Sequence, residues 1–246
     1  MDRDYFYELM HGEGTTDYER YLNTKTLFSC QSDFSEFCNG DELQFQIVHQ
    51  IQELLMKLIA YTLLDIDEYI KDEKTNRIIT LFQRVYRLQE VMIKLFDILD
   101  TMSPKEYQEI RIKLGGGSGR ESPGFRVLIK MGEHLWYTFK KHYLEKNNTS
   151  IEKIYNSQYS HSDAFMVAEA LATYDELFQK FRFHHVKHVQ RSIGLGAKSL
   201  KGNPVSLLKA GLEKRFFPEL WQIRDTMTDQ WVTRYGEVRD SLKPDE

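Results

Sequence analysis

The chain has 246 residues, 33 lysines and arginines against 37 aspartates and glutamates, a formal net charge of −4, and 41% hydrophobic residues. This is the composition of an ordinary globular protein, long enough for one large domain or two small ones with a substantial core. Because no basic stripe accompanies the mild acidity, we expect no binding to nucleic acid. The most apolar stretch, residues 54–64, is broken by Lys57 and is too short to span a bilayer, so no membrane association is expected.

The cysteine content is low. Cys30 and Cys38 are too few for a disulfide framework and do not form a CxxC pair. The first four residues lack the basic and then apolar character of a signal peptide. The sequence therefore predicts a protein of the reducing cytoplasm.

Apolar residues recur at spacings of three and four along most of the chain, a pattern that predicts helices. The predicted helices cover residues 41–70, 76–99, 103–114, 125–144, 162–193 and 204–242, the last interrupted at Pro218. Ser103 to Glu106 forms a capping box with Pro104 at the first helical position. Alternating strand patterns are absent. We expect an all-α, bundle-like single domain over residues 1–246.

The first long helix has an apolar stripe that is predicted to face the core: Leu43, Ile47, Ile51, Leu54, Leu58 and Tyr61. His49 falls on the opposite side, which it shares with Phe45, Gln52, Glu53 and Met56. One interpretation is a surface histidine. The second is that the helix has a second buried face, which lines a mixed polar and aromatic pocket.

Three histidines cluster near the end of another predicted helix. His184 and His188 share one face, as two zinc ligands would, but no HExxH pattern or third ligand accompanies them. A single histidine on a buried helix face is enough to coordinate haem iron, and His185 is best placed for this because apolar residues flank it. Alternatively, these histidines form hydrogen bonds or face solvent.

Arg111 follows Tyr107 by four residues on the short predicted helix, so the two side chains share a face. A guanidinium in this position could clamp a carboxylate through two hydrogen bonds. The alternative is an exposed arginine that is favoured by the helix dipole. The glycine-rich loop that follows, residues 115–124, lacks the P-loop pattern, so a nucleotide site is not expected.

Five blocks of sequence occur in an order that points to one family. The blocks are Tyr18-Glu19-Arg20-Tyr21-Leu22, Asp41 to Lys57, Met102 to Arg126, Arg182 to Gly194, and Arg215-Phe216-Phe217-Pro218-Glu219-Leu220. They resemble the tryptophan 2,3-dioxygenase family. The resemblance implies an all-α domain with haem b, which uses O₂ to oxidise the indole ring of L-tryptophan to N-formylkynurenine.

The resemblance also implies a role for individual residues. His185 would be the proximal ligand of the haem iron, and His49 would be the distal histidine that accepts the indole N–H. Phe45 would pack against the substrate ring, while Arg111, assisted by Tyr107, would bind the carboxylate.

Further residues would complete the site. Ser118 would approach the haem or its propionates, and Phe125 would line the haem pocket. Since family members are tetramers, the resemblance implies a homotetramer, or a dimer, in which the N-terminal segment 1–40 contacts a neighbouring subunit. Its residues Tyr18, Tyr21 and Leu22 would reach the neighbour's active site.

Two departures from the family pattern keep further functions open. Where the family has a Gly-Thr-Gly-Gly-Ser loop whose threonine contacts the substrate ammonium, this chain has Gly196 to Gly202, with Ser199 near the threonine position. The stretch between Phe125 and Arg182 is also shorter than in the family. Both departures favour, as an alternative, a haem-dependent monooxygenase of a substituted tryptophan or another aromatic amino acid in secondary metabolism. The sequence is also compatible with a non-catalytic haem sensor and with a haem-free helical interaction protein.

Overall fold

The computed structural model describes residues 1–157, 160–205, 207–237, 239 and 241 of the chain. Its α-helices within these residues are α1 (Arg3–His11), α2 (Asp17–Leu22), α3 (Thr24–Phe28), α4 (Glu42–Lys71), α5 (Thr75–Leu99), α6 (Pro104–Lys113), α7 (Pro123–Phe139), α8 (Ile151–Tyr155), α9 (Asp163–Ser192), α10 (Leu207–Ala210) and α11 (Pro218–Trp231). Short 3₁₀ turns cover Gly119–Glu121 and Val232–Arg234, and a π-helix covers Lys140–Glu145. Over the described residues, β-type pairing is limited to one bridge between Lys198 and Pro204, so the predicted all-α class is confirmed.

Four long helices form the core of the bundle. α4 packs against both α5 and α7, and α9 packs against α5. The side chains at their interfaces are almost all apolar, and burying each large one contributes roughly 1.5–3 kcal/mol. None of the helices in the described ranges is long and apolar enough to cross a membrane.

The apolar stripe of α4 does not face the core as predicted. Leu54 and Leu58 are 54% and 46% exposed, and Ile47 and Tyr61 are also exposed. The core side of the helix is formed instead by Val48, Gln52, Met56, Ile59, Thr62, Leu63, Ile66 and Ile70. The prediction was wrong because α4 is apolar on two sides, and periodicity alone does not show which side is covered.

This inversion changes the interpretation of His49. Gln52 and Met56, which share its side of α4, are buried against the other helices. α4 therefore has the second buried face that the second interpretation requires, and His49 lies at its solvent-exposed edge.

Most predicted helix ends lie within a few residues of the observed ones. The capping box of α6 is present, since the Ser103 hydroxyl accepts the Glu106 N–H and the Glu106 carboxylate accepts the Ser103 N–H. The predicted helix 125–144 begins at Pro123 and changes from α to π geometry at Lys140. The helices α1 to α3 and α8 were not predicted.

The predicted helix from residue 204 is wrong over its middle part. Asp175 Oδ2 accepts the backbone N–H groups of Phe216 and Phe217 at 3.0 and 3.3 Å, and Arg182 donates to the carbonyls of Gly211 and Lys214. These contacts from α9 satisfy the backbone of a non-helical segment, which ends where α11 begins at Pro218. The predicted end at residue 242 lies outside the described residues.

Candidate functional site

The rings of α4 and α6 that were predicted to bind substrate lie together. Phe45 and His49, one turn apart on α4, have ring centroids 4.1 Å apart. The ring of Tyr107 from α6 meets Phe45 edge to face, with centroids 6.2 Å apart. The predicted indole contacts therefore form one wall, made by two helices.

A second group of rings comes from α5 and α9. The Phe96 ring lies 6.1 Å from the His185 ring and 5.9 Å from the His188 ring, measured between centroids. His188 also meets Tyr107 edge to face, with centroids 5.9 Å apart. A continuous series of ring contacts thus joins the predicted distal histidine to the predicted proximal histidine.

His49 is held in one tautomer. Its Nδ1 lies 2.7 Å from the carbonyl oxygen of Phe45, and because a carbonyl only accepts, Nδ1 carries the proton. The residue is exposed on one side, while protein atoms pack against the other parts of the ring. Burial lowers the pKa of His49, with a smaller contribution from His188 in the same direction. The ring is therefore neutral near pH 7 and presents an unprotonated Nε2.

His185 has the properties of a nitrogen ligand. Burial, reinforced by His188 and His49, lowers its pKa to about 4, so its ring is uncharged at neutral pH. A β-carbon placed on Gly119 would lie 3.9 Å from His185 Nε2, so the loop that carries Ser118 reaches this nitrogen. A neutral imidazole beside aromatic residues is the donor that haem iron requires.

The zinc interpretation of His184 and His188 gains no support. Across the described ranges, no three histidine, cysteine, aspartate or glutamate side chains are grouped to hold a metal ion. His188 Nδ1 is instead engaged by Asp100 Oδ1 at 2.8 Å.

The start of α7 is fixed against α4 beside the site. Glu53 Oε2 accepts the Gly124 N–H at 3.0 Å, and a β-carbon on Gly124 would lie 2.7 Å from the Met56 β-carbon. Only glycine allows this approach. It positions Phe125, whose ring stacks on Phe178 of α9 with centroids 5.5 Å apart, in the wall between α7 and α9.

Arg111 and the loop that carries Ser199 come together, although 87 positions separate the bonded residues. Arg111 donates from Nη2 to the carbonyl oxygen of Lys198. The Ser199 hydroxyl accepts the Asn203 N–H at 3.1 Å, which closes the turn of this loop. The guanidinium thus lies beside the loop segment where the ammonium contact was expected.

The loop of residues 115–124 and the loop of residues 196–202 also contact each other. Lys201 forms an ion pair with Glu121, and this pair lowers the pKa of the Glu121 carboxyl. The second carboxylate oxygen of Glu121 accepts the Ser118 N–H at 3.1 Å. The loop that approaches His185 is therefore tied to the loop that approaches Arg111.

Three of the predicted site residues lie apart from the rest. Tyr18, Tyr21 and Leu22 are on α2 and are exposed, so a single chain does not bury them in the site. Their predicted role in a neighbouring subunit stays a prediction.

Sequence reasoning missed one pair beside the site. Asp100, directly after α5, and His188, on α9, are hydrogen-bonded, and the His188 side chain is only 6% exposed. The two residues are far apart in the sequence, and no motif links them. Only the packing of α5 against α9 brings them together.

Comparisons with known proteins point to the family that the motifs indicate. The sequence model of the family described as tryptophan 2,3-dioxygenase matches residues 8–154, which include His49, Tyr107, Arg111, Ser118 and Phe125. The tryptophan 2,3-dioxygenase of Bacillus thuringiensis subsp. konkukian is 30% identical over 256 residues, covering 84% of this chain and 91% of that protein.

Two more relatives extend over similar lengths. The tryptophan 2,3-dioxygenase of Myxococcus xanthus is 29% identical over 265 residues, covering 87% of this chain and 91% of that protein. That of Serratia proteamaculans is 28% identical over 257 residues, covering 84% and 91%.

Proposed function

Because the chain belongs to the tryptophan 2,3-dioxygenase family, we propose that it is a haem-dependent dioxygenase that uses O₂ to convert L-tryptophan to N-formylkynurenine. The observation that carries the proposal is the series of ring contacts from His49 through Phe45 and Tyr107 to His188, next to the neutral His185. An aromatic site with two neutral imidazoles and one guanidinium suits an indole amino acid and a haem.

His185 is the proposed proximal ligand of haem b. Its low pKa keeps the ring unprotonated, and no hydrogen bond from the described residues occupies either ring nitrogen. When bound, haem supplies the activation of O₂, a step that amino-acid side chains do not provide. Phe96 places an apolar ring beside His185, Phe125 stacks on Phe178 of the same helix as His185, and the loop at Gly119 lies next to Nε2.

His49 is proposed to accept the indole N–H of the substrate. Its Nδ1 proton is used by the Phe45 carbonyl, so Nε2 offers a lone pair and no competing proton. The Phe45 ring, 4.1 Å away, gives the indole a flat surface to pack against. The two residues orient the substrate ring.

Arg111 is proposed to bind the substrate carboxylate. Its partner in the free protein is the neutral carbonyl of Lys198, and a carboxylate that accepts two hydrogen bonds is a stronger partner. Tyr107, four residues earlier on α6, shares a helix face with Arg111 and meets Phe45 edge to face. Holding the carboxylate and the ring at once restricts the substrate to one reactive orientation.

We also propose that the chain assembles as a homotetramer. The exposed stripe of α4 is an apolar surface on one of the four core helices, a type of surface that marks interaction sites. In the assembly, Tyr18, Tyr21 and Leu22 of segment 1–40 would reach the active site of a neighbour.

A monooxygenase of a substituted aromatic amino acid is the second candidate. It is favoured by the loop 196–202, in which Ser199 stands near the family's threonine position and its hydroxyl accepts the Asn203 N–H. A changed contact to the substrate ammonium is the kind of difference that alters substrate choice.

One experiment separates the candidates. Haem-loaded, reduced protein is supplied with L-tryptophan and ¹⁸O₂, and the product is analysed by mass spectrometry. Incorporation of two labelled atoms supports the dioxygenase, incorporation of one supports the monooxygenase, and no product from any aromatic amino acid contradicts both.

A second measurement tests the cofactor. His185→Ala should lose the haem absorbance band of the purified protein, whereas His184→Ala, the adjacent histidine on α9, should retain it. Unchanged haem content and ligation in His185→Ala would show that the proximal assignment is wrong.

A further inference from the structure

The helix that carries Tyr107 and Arg111 has little apolar surface to hold it. α6 has 10 residues, and Ile110 is its one buried residue. A helix this short is marginal by itself, and helices are usually fixed by an apolar face that α6 lacks. Its position in the site must therefore depend on specific side-chain contacts.

Those contacts come from three directions. Asn39 donates from Nδ2 to the carbonyl oxygen of Glu106 at 3.0 Å, which secures the first turn of α6 to the N-terminal segment. Arg111, at the last turn, donates to the Lys198 carbonyl, a contact that substrate binding would release. The ring of Tyr107, in the middle, rests edge to face on His188 at an interplanar angle of 82°. Tyr107 is therefore the residue through which α6 contacts two core helices, α9 at His188 and α4 at Phe45.

His188 itself is held from both sides. Its Nδ1 donates to Asp100 Oδ1 at 2.8 Å, and its ring lies against Phe96. The side chain of His188 is only 6% exposed, so removing the Asp100 carboxylate would leave the Nδ1–H without its acceptor, while Nε2 has only a long contact of 3.5 Å to Ser192 Oγ. The hydrogen bond therefore fixes the orientation of the ring on which Tyr107 rests.

We infer that Asp100 and His188 are positioning residues for the substrate carboxylate: the pair orients Tyr107 and thereby keeps α6, with Arg111, in its binding position. The inference rests on the proposed role of Arg111, since it assigns the pair to that same site. Neither residue needs to touch the substrate. Their effect is on how well the binding helix is preorganised before substrate arrives.

Two single variants and their combination test the inference. His188→Leu keeps apolar volume but removes the ring N–H, and Asp100→Asn removes the charge of its partner. His188→Leu should raise the KM for L-tryptophan about tenfold, the factor that corresponds to one lost hydrogen bond, and Asp100→Asn, whose amide oxygen still accepts the ring N–H without the charge, about threefold, while kcat and haem absorbance stay near the wild-type values. Because both act through one contact, the double variant should be no worse than the worse single variant.

Asp97→Asn is the matched control, because Asp97 lies one turn earlier on α5 and pairs with the exposed Lys94. It should leave the KM unchanged. Hydrogen exchange of the backbone amides of α6, followed by mass spectrometry without substrate, gives a readout that does not depend on turnover. Exchange in α6 should be faster in both single variants and unchanged in α7.

The outcomes are distinguishable. Unchanged exchange in α6 together with an unchanged KM would overturn the inference, as would an additive double variant or a loss confined to kcat or haem content. If His188→Leu fails to fold, the milder Asp100→Asn carries the same test. If the wild-type protein turns over no tryptophan, the proposed function fails, whereas faster exchange in α6 alone still supports the positioning role.

Discussion

Gly132 of α7 faces Phe216 so closely that a β-carbon at position 132 would lie 2.6 Å from the Cδ1 atom of the phenyl ring. Phe216 cannot easily move aside, because its ring stacks on Tyr174 with centroids 5.4 Å apart and packs against Phe178 with centroids 4.8 Å apart. The non-helical segment before α11 is thus seated on α7 through a residue without a side chain.

Gly132→Ala should therefore destabilise the protein. Overpacking of a core of this kind costs about 1–3 kcal/mol, which exceeds the gain of up to about 1 kcal/mol from replacing a helical glycine by alanine. Thermal unfolding should show a lower midpoint. Glu133→Ala, at an exposed position on the same helix, should leave it nearly unchanged, and a stabilised Gly132→Ala protein would contradict the packing described for Phe216.

Arg111→Leu should weaken the binding of L-tryptophan about tenfold to a hundredfold, because a hydrogen bond to a charged group contributes about 1.5–3 kcal/mol. Equilibrium binding to the haem-loaded protein measures the effect directly. Lys113→Leu, two residues further along α6, is the control and should bind normally. Equal affinity in Arg111→Leu would remove this residue from the carboxylate site.

The affinity for tryptophan should depend on pH through His49. Since burial lowers the pKa of this ring, His49 should stay neutral as pH falls to about 6.5 and become protonated only below that value. Protonation puts a hydrogen on Nε2 and removes the acceptor for the indole N–H. Binding should therefore be constant above about pH 6.5 and weaken below it.

1-Methyl-tryptophan, which has no indole N–H, is the comparison ligand for this titration and should show a flatter profile. The same lowered pKa has a consequence for folding, because the unfolded chain binds the proton more readily. Stability from His49 is complete above about pH 6.5 and is lost as pH falls from there toward the folded-state pKa. If the affinity for tryptophan fell at a pH above the ordinary histidine pKa, the role of His49 as acceptor of the indole N–H would be contradicted.

The long helices were predictable because each has an uninterrupted 3.6-residue pattern between breaks. The start of α6 could be placed to the residue, since Ser103, Pro104 and Glu106 form a local capping signal. The non-helical segment before α11 could not be predicted. Its backbone N–H and C=O groups form hydrogen bonds with Asp175 and Arg182, which are more than 25 positions away in the sequence. Contacts of this kind produce no periodic pattern in the sequence.

In the candidate site, too, some residues could be predicted from the local sequence and others depend on contacts between distant parts of the chain. His49, Arg111 and His185 were predicted from their sequence contexts, and the structure brings the surrounding elements together. The Asp100–His188 pair was not identifiable, because an aspartate after one helix and a histidine on another have no common spacing. The exposed side of α4 was misassigned because both of its sides are apolar.

Leu58→Asp should disrupt the proposed assembly. A charge in the exposed stripe of α4 opposes burial of that stripe against another subunit, while it costs little in a single chain because Leu58 is already exposed. Sedimentation should show a smaller species than wild type. Thr80→Asp, which adds the same charge at an exposed position of α5, should leave the sedimentation unchanged. A wild-type monomer would show that the stripe is not an interface between copies of this chain.

The two apolar sides of α4 also imply that one helix contributes to stability in two separable ways. Its inner side stabilises the protomer at any dilution. Its outer side, once covered by another subunit, stabilises the fold by mass action, so the unfolding midpoint should rise with protein concentration. A cavity made at Ile59 should lower the midpoint at every concentration, whereas Leu58→Asp should remove the concentration dependence itself.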